Sequence, residues 1–145
     1  MITLATGVVM GVALYIALIF ALYGFHQLAL LDGNDAYPDW YAPGDLLLRS
    51  MNSVTPGVLA GWQCRASPVT AGALAGALGG IAESVFFGAM IGVPLAEFGG
   101  RIFLAAFSTA IVSGLTNAVG GVAGAAMRRK SADSSLSSDA KPRLK

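Results

Sequence analysis

Residues 4–31 read LATGVVMGVALYIALIFALYGFHQLALL, a stretch with no aspartate, glutamate, lysine or arginine. A charge at the centre of a membrane helix costs about 2.5–3.5 kcal/mol, and about 20 apolar residues cross the hydrocarbon layer. A run of this length without a charge therefore reads as a transmembrane helix, with spare length for tilt or for emergence at one end. It has no basic leader, and its apolar run exceeds the ~7–15 residues of a secretory signal, so it reads as a retained helix.

The pattern repeats downstream. Residues 32–45, DGNDAYPDWYAPGD, hold four aspartates, two prolines and two glycines, the composition of a solvated, turn-rich loop. Tyr37, Trp40 and Tyr41 place that loop in the headgroup layer, where rings with a polar handle are favoured. Residues 46–64 form a second span interrupted by Arg49, Ser50, Asn52, Ser53, Thr55 and Pro56, whose polar groups must face other helices. After a turn over 65–68, residues 66–96 contain one charge, Glu83, and residues 102–127 contain none. Spans are expected at 69–93 and 102–127, joined by a turn containing Pro94, Glu97, Gly99, Gly100 and Arg101. Residues 128–145, RRKSADSSLSSDAKPRLK, have too little apolar surface to offset the entropy of ordering and read as a disordered tail.

Composition agrees with this division. The 145 residues are 55% hydrophobic and 12% charged, with a mean hydropathy of +0.68, which does not fit a soluble globule. The expected fold is all-α: a polytopic membrane bundle of four transmembrane helices with glycine-mediated packing, the alternative being three spans with residues 32–68 all cytoplasmic. Arg128, Arg129 and Lys130 directly follow the last apolar run, and the bias of basic residues toward the cytoplasm puts that end, and with four spans the N-terminus, inside the inner membrane. The same three residues are placed to meet anionic headgroups. A net charge of +1 gives no nucleic-acid footprint, so the expected partners are the bilayer and either a second copy or another membrane protein.

Within the spans, Gly72, Gly76 and Gly80 recur at intervals of four and share one helix face, and Gly120 and Gly124 do the same in the last span. Bare backbone on such a face admits a neighbouring helix, within the chain or across an oligomer. Glu83 lies about 21 Å of helix beyond Val69, well inside the apolar layer, and so must be hidden against protein. Folding the two central helices back at the 65–68 turn puts Arg49, Ser50 and Asn52 at its depth, which predicts an Arg49–Glu83 pair. Ser113 is level with Glu83 across the next hairpin, and Asn117 follows one turn later. These five residues, Glu83, Arg49, Asn52, Ser113 and Asn117, form the candidate intramembrane polar cluster. It reads either as a buried pair that fixes helix register or as a proton or cation site.

Catalytic chemistry finds no constellation. The chain has one histidine, His26, and one cysteine, Cys64, so no zinc or haem ligand set and no nucleophile triad is expected within it, and the aspartates at 32, 35, 39 and 45 lack the calcium-loop spacing. No cofactor and no enzymatic activity are expected. The run PGVLAGWQCRASPVTAGALAGALGG, residues 56–80, resembles the glycine-rich hairpins of small four-helix bacterial inner-membrane proteins, a likeness that brings no residue roles with it. The functional expectation is a non-enzymatic scaffold or accessory subunit. The alternatives are a small ion- or proton-conducting oligomer that uses Glu83, and third a phage-type lysis pore.

Overall fold

The computed structural model describes residues 3–31, 38–90, 100 and 102–139. Among these the chain is all-helical: α1 spans Leu4–Leu30, α2 Tyr41–Gln63, α3 Pro68–Met90 and α4 Phe103–Asp139. Three of the helices, α1, α3 and α4 as far as Ala132, are long and apolar enough to cross a membrane. The expected turn around Pro94, and Asp32, Asp35 and Tyr37 of the first loop, lie outside the described residues.

Local chemistry sets the ends. Thr3 caps α1, its hydroxyl accepting from the Thr6 amide at 3.4 Å. α2 begins earlier than the loop composition suggests. Pro43 falls in its first turn, where a missing N–H would have had no helical partner in any case, and Tyr41 donates its own N–H to the Pro38 carbonyl at 2.9 Å. The Phe25 ring stacks on Tyr41 at 5.6 Å and meets Trp40 edge-on at 5.2 Å, fastening this end of α2 to the end of α1. At the other end Cys64 is extended, and Pro68 opens α3 after only a few residues, which holds α2 and α3 antiparallel.

α4 runs as helix to Asp139, beyond the apolar run and into the serine-rich segment. The helix is already nucleated in the apolar run, so each further residue adds one hydrogen bond without a nucleation cost. Beyond the apolar run Arg128 ties the helix to α2, and the Ser131 hydroxyl bonds back to the Met127 carbonyl at 3.1 Å. Residues 140–145 lie outside the described residues.

In α2 and α3 small side chains lie inside and large apolar ones outside, while α1 also buries Tyr15, Ile19 and Leu22. Ala60, Ala71 and Ala75 are fully buried, while Leu46, Leu104, Leu115 and Val119 are each about two-thirds exposed. A soluble protein has the reverse order, whereas lipid tails solvate exposed leucines and leave close backbone approach as the packing force. Helices α3 and α4 are the most intimate pair, and α2 touches all three others. Helices α1 and α4 lie diagonally opposite, with no Cα approach within 8 Å among the described residues. Where α1 meets α2 and α3, a Cβ added at Gly11 would fall 2.6 Å from the Ala75 methyl and 2.9 Å from the Pro56 carbonyl oxygen.

Candidate functional site

Tyr15 organises the interior. It follows Gly7 and Gly11 at intervals of four on the buried face of α1 and is only 2% exposed. Its ring lies against Gly79 of α3, where a Cβ would strike the ring atoms. One turn beyond Gly79 comes Glu83. The Tyr15 hydroxyl donates to Glu83 Oε2 at 2.7 Å and lies 2.9 Å from Ser113 Oγ on α4. A phenol side chain thus spans the diagonal that the two backbones leave open. Asn52 of α2 lies beside the same hydroxyl, so residues of all four helices surround one polar node whose hydrogen bonds join α1, α3 and α4.

A second link runs beside it. Asn117, completely buried, donates from Nδ2 to the Ser113 carbonyl at 2.9 Å and accepts at Oδ1 from the Gly57 amide at 2.7 Å. Gly57 follows Pro56, whose ring disturbs the α2 ladder, and Asn117 offers an acceptor at that point from the neighbouring helix. Gly57 has to be glycine here, because an added Cβ would collide with the Asn117 backbone. Asn52 Oδ1 stands apart: it is buried and has no hydrogen-bond partner.

Of the five residues expected to cluster, Glu83 and Ser113 meet through Tyr15, Asn52 lies beside them, and Asn117 bonds to the Ser113 backbone. Arg49 does not pair with Glu83. Its Nε donates to Asp45 Oδ2 at 2.8 Å, one turn back on α2, with the two side chains 60% and 21% exposed. Arg49 lies too far toward the Tyr41 end. It lines a cavity of about 150 Å³ with Leu22, Tyr23, His26 and Phe87, residues beyond Tyr15 on α1 and beyond Glu83 on α3. There His26 Nδ1 lies 2.8 Å from the Tyr41 hydroxyl.

Gly72, Gly76 and Gly80 lie against α4, at Asn117, Ser113 and Thr109, whereas Glu83 continues the adjoining row of Ala75 and Gly79 toward α1. Gly120 and Gly124 lie against α2, at Val54, Val58 and Trp62. Tyr15 was the residue missing from the sequence reading. Its signal was a phenol in the middle of an apolar span, in register with Gly7 and Gly11, with a hydroxyl that hydrocarbon cannot satisfy.

The node can hold a proton, fix helix register, or both: its groups are a carboxyl, two hydroxyls and two amides, all oxygen or amide chemistry with no strong nucleophile. No group of three or more His, Cys, Asp or Glu side chains placed to hold a metal occurs among the described residues. No protein-family profile matches the chain, and neither a characterised protein nor a solved structure is significantly similar to it.

Proposed function

We propose that this chain is a non-enzymatic scaffold or accessory subunit of a membrane complex, a rigid four-helix bundle that offers its lipid-facing surface to another membrane protein or to a second copy. The observation that carries the reading is the Tyr15 node: one buried hydroxyl of α1 hydrogen-bonded to side chains of α3 and α4, with Asn52 of α2 beside it, gives the bundle a fixed register. Backbone contact at the glycines of α2, α3 and α4 supports close glycine-mediated packing as the complementary device.

The same reading takes α2 across the membrane as a fourth span. Its Tyr41–Gln63 helix is roughly 35 Å long, enough for the hydrocarbon layer, and Leu46, Leu47, Met51 and Val54 face outward as lipid-facing residues would. Both termini are then cytoplasmic, with Arg65, Arg128, Arg129 and Lys130 on the same side of an inner membrane.

One observation favours a second reading, a small proton- or cation-conducting oligomer. Asn52 Oδ1 is buried without a partner beside a hydroxyl chain that ends on a half-buried carboxyl, which is how an intramembrane relay would be furnished. Reconstitution separates the two. The purified chain in proteoliposomes is expected to pass protons and monovalent cations no faster than empty vesicles, and to migrate in its native membrane as part of a larger assembly. Flux that Glu83→Gln abolishes overturns the scaffold reading in favour of the relay.

A further inference from the structure

The end of the bundle away from Trp40 and Tyr41 carries a second constellation. There α2 finishes at Gln63 without a basic residue in its last turn, and α4 passes alongside on its way out of the apolar layer. Arg128 closes the gap: Nη1 donates to the carbonyls of Gly61 at 3.0 Å, Trp62 at 2.7 Å and Cys64 at 3.2 Å. A guanidinium in that position satisfies orphan carbonyls and opposes the negative end of the helix dipole. It also fixes one positive charge at a defined place.

Arg65 and Arg129 converge on that place. With Arg128 and Ala132 they line a cleft of about 370 Å³. Among the described side chains no carboxylate lines it, and the one ion pair among the described residues, Arg49–Asp45, is at the opposite end of α2. Three like charges around one space repel one another until an anion enters, and guanidinium forks match phosphate oxygens in bidentate fashion. The level is also telling. Trp62 and Met127, each in the turn next to the cleft, are exposed apolar residues, so the cleft sits where the apolar belt gives way to charge. Headgroup phosphates lie at that level.

We infer that Arg65, Arg128 and Arg129 form a binding site for the phosphate of an anionic ligand, supplied by the phosphodiester headgroup of the surrounding lipid. The site is independent of whether the bundle acts as scaffold or relay.

The test uses the full-length chain carrying Trp40→Phe, which leaves Trp62 as its only tryptophan beside the cleft. Quenching of Trp62 is compared between vesicles containing brominated phosphatidylglycerol and vesicles containing brominated phosphatidylcholine, and inorganic phosphate is titrated against the protein in lipid-free detergent with thermal unfolding as readout. The anionic lipid is expected to be preferred, and the preference to weaken as salt rises. Arg65→Gln and Arg129→Gln are each expected to cut it by up to about fivefold, and together to remove it. Arg65→Lys keeps the charge and retains most of it. Arg128 is left intact because it caps α2, and circular dichroism verifies that the variants are folded. Stabilisation by inorganic phosphate without lipid preference overturns the lipid source and assigns the site to a soluble phosphate. Equal quenching by both lipids, with no phosphate effect, overturns the site.

Discussion

Tyr15→Phe removes the hydroxyl at the centre of the node and keeps the ring that fills the space above Gly79. No cavity opens, so the loss reports hydrogen bonding alone. Two contacts disappear, one to a carboxyl oxygen at 2.7 Å and one to a hydroxyl at 2.9 Å. In soluble proteins a hydrogen bond to a charged group contributes about 1.5–3 kcal/mol. Between membrane helices such bonds average about 0.6 kcal/mol and reach about 1.7 kcal/mol, because the unfolded chain in lipid also finds partners. Glu83 is half-buried on the side of α3 turned to α1, and its contact is the shorter of the two. The upper part of the membrane range therefore applies, and Tyr15→Phe is expected to cost about 1.7 kcal/mol.

The decisive measurement is the same substitution in a Glu83→Leu background. Once the carboxyl is gone, the phenol hydroxyl retains only Ser113, and its removal is expected to cost about 0.6 kcal/mol. Reversible unfolding of the full-length chain in mixed micelles, followed by far-ultraviolet circular dichroism across the four proteins of the cycle, gives a coupling of about 1 kcal/mol. A coupling under about 0.3 kcal/mol, the level of independent sites, would refute the claim that Tyr15 and Glu83 are joined.

Other expectations follow from the same geometry. Arg49→Gln is expected to change stability by less than about 1 kcal/mol in the same unfolding assay, since its ion pair with Asp45 is a local one with the Arg49 side chain exposed, whereas breaking a buried Arg49–Glu83 pair would cost about 3–5 kcal/mol. Gly57→Ala forces a methyl into the Asn117 backbone and is expected to destabilise by about 1–3 kcal/mol or to prevent assembly, while Gly24→Ala, with nothing within 4 Å of the new methyl, is expected to stabilise α1 by up to about 1 kcal/mol. Asn117→Leu removes the acceptor of the Gly57 amide and is expected to cost about 1–3 kcal/mol, and Asn117→Asp, which keeps that acceptor but loses the Nδ2 donor to the Ser113 carbonyl and buries a carboxyl group, is not expected to restore it. Cysteines introduced by Asp39→Cys and Arg65→Cys in a Cys64→Ala background are expected to react with impermeant reagents from opposite faces of intact cells. Labelling from one face would mean that α2 does not cross.

The long apolar helices were legible because absence of charge is a property summed over twenty or so residues, and no single side chain can upset it. The start of α2 was not, because Pro43 and four aspartates speak for a loop while the contacts of Phe25 with Trp40 and Tyr41, distant in sequence, speak for a helix.

Glu83 shows what depth alone leaves undetermined. Counting back from the α2–α3 turn puts residues 50 to 52 level with it, and Asn52 is indeed beside the node, while Arg49 stands nearer the Tyr41 end and turns to Asp45. Depth fixes a layer, but a layer of four helices holds several candidates, and the partner is decided by which backbones come close enough. Gly79 decides it here. Lacking a Cβ, it lets the Tyr15 ring lie flat against α3, and the phenol is then long enough to carry its hydroxyl to both Glu83 and Ser113. A bulkier residue at 79 would push α1 outward and leave the carboxyl without its donor, although no polar atom had been altered. At Gly79 the packing of a small residue and the satisfaction of polar ones are therefore a single constraint, and the polar node lies where this glycine admits the Tyr15 ring.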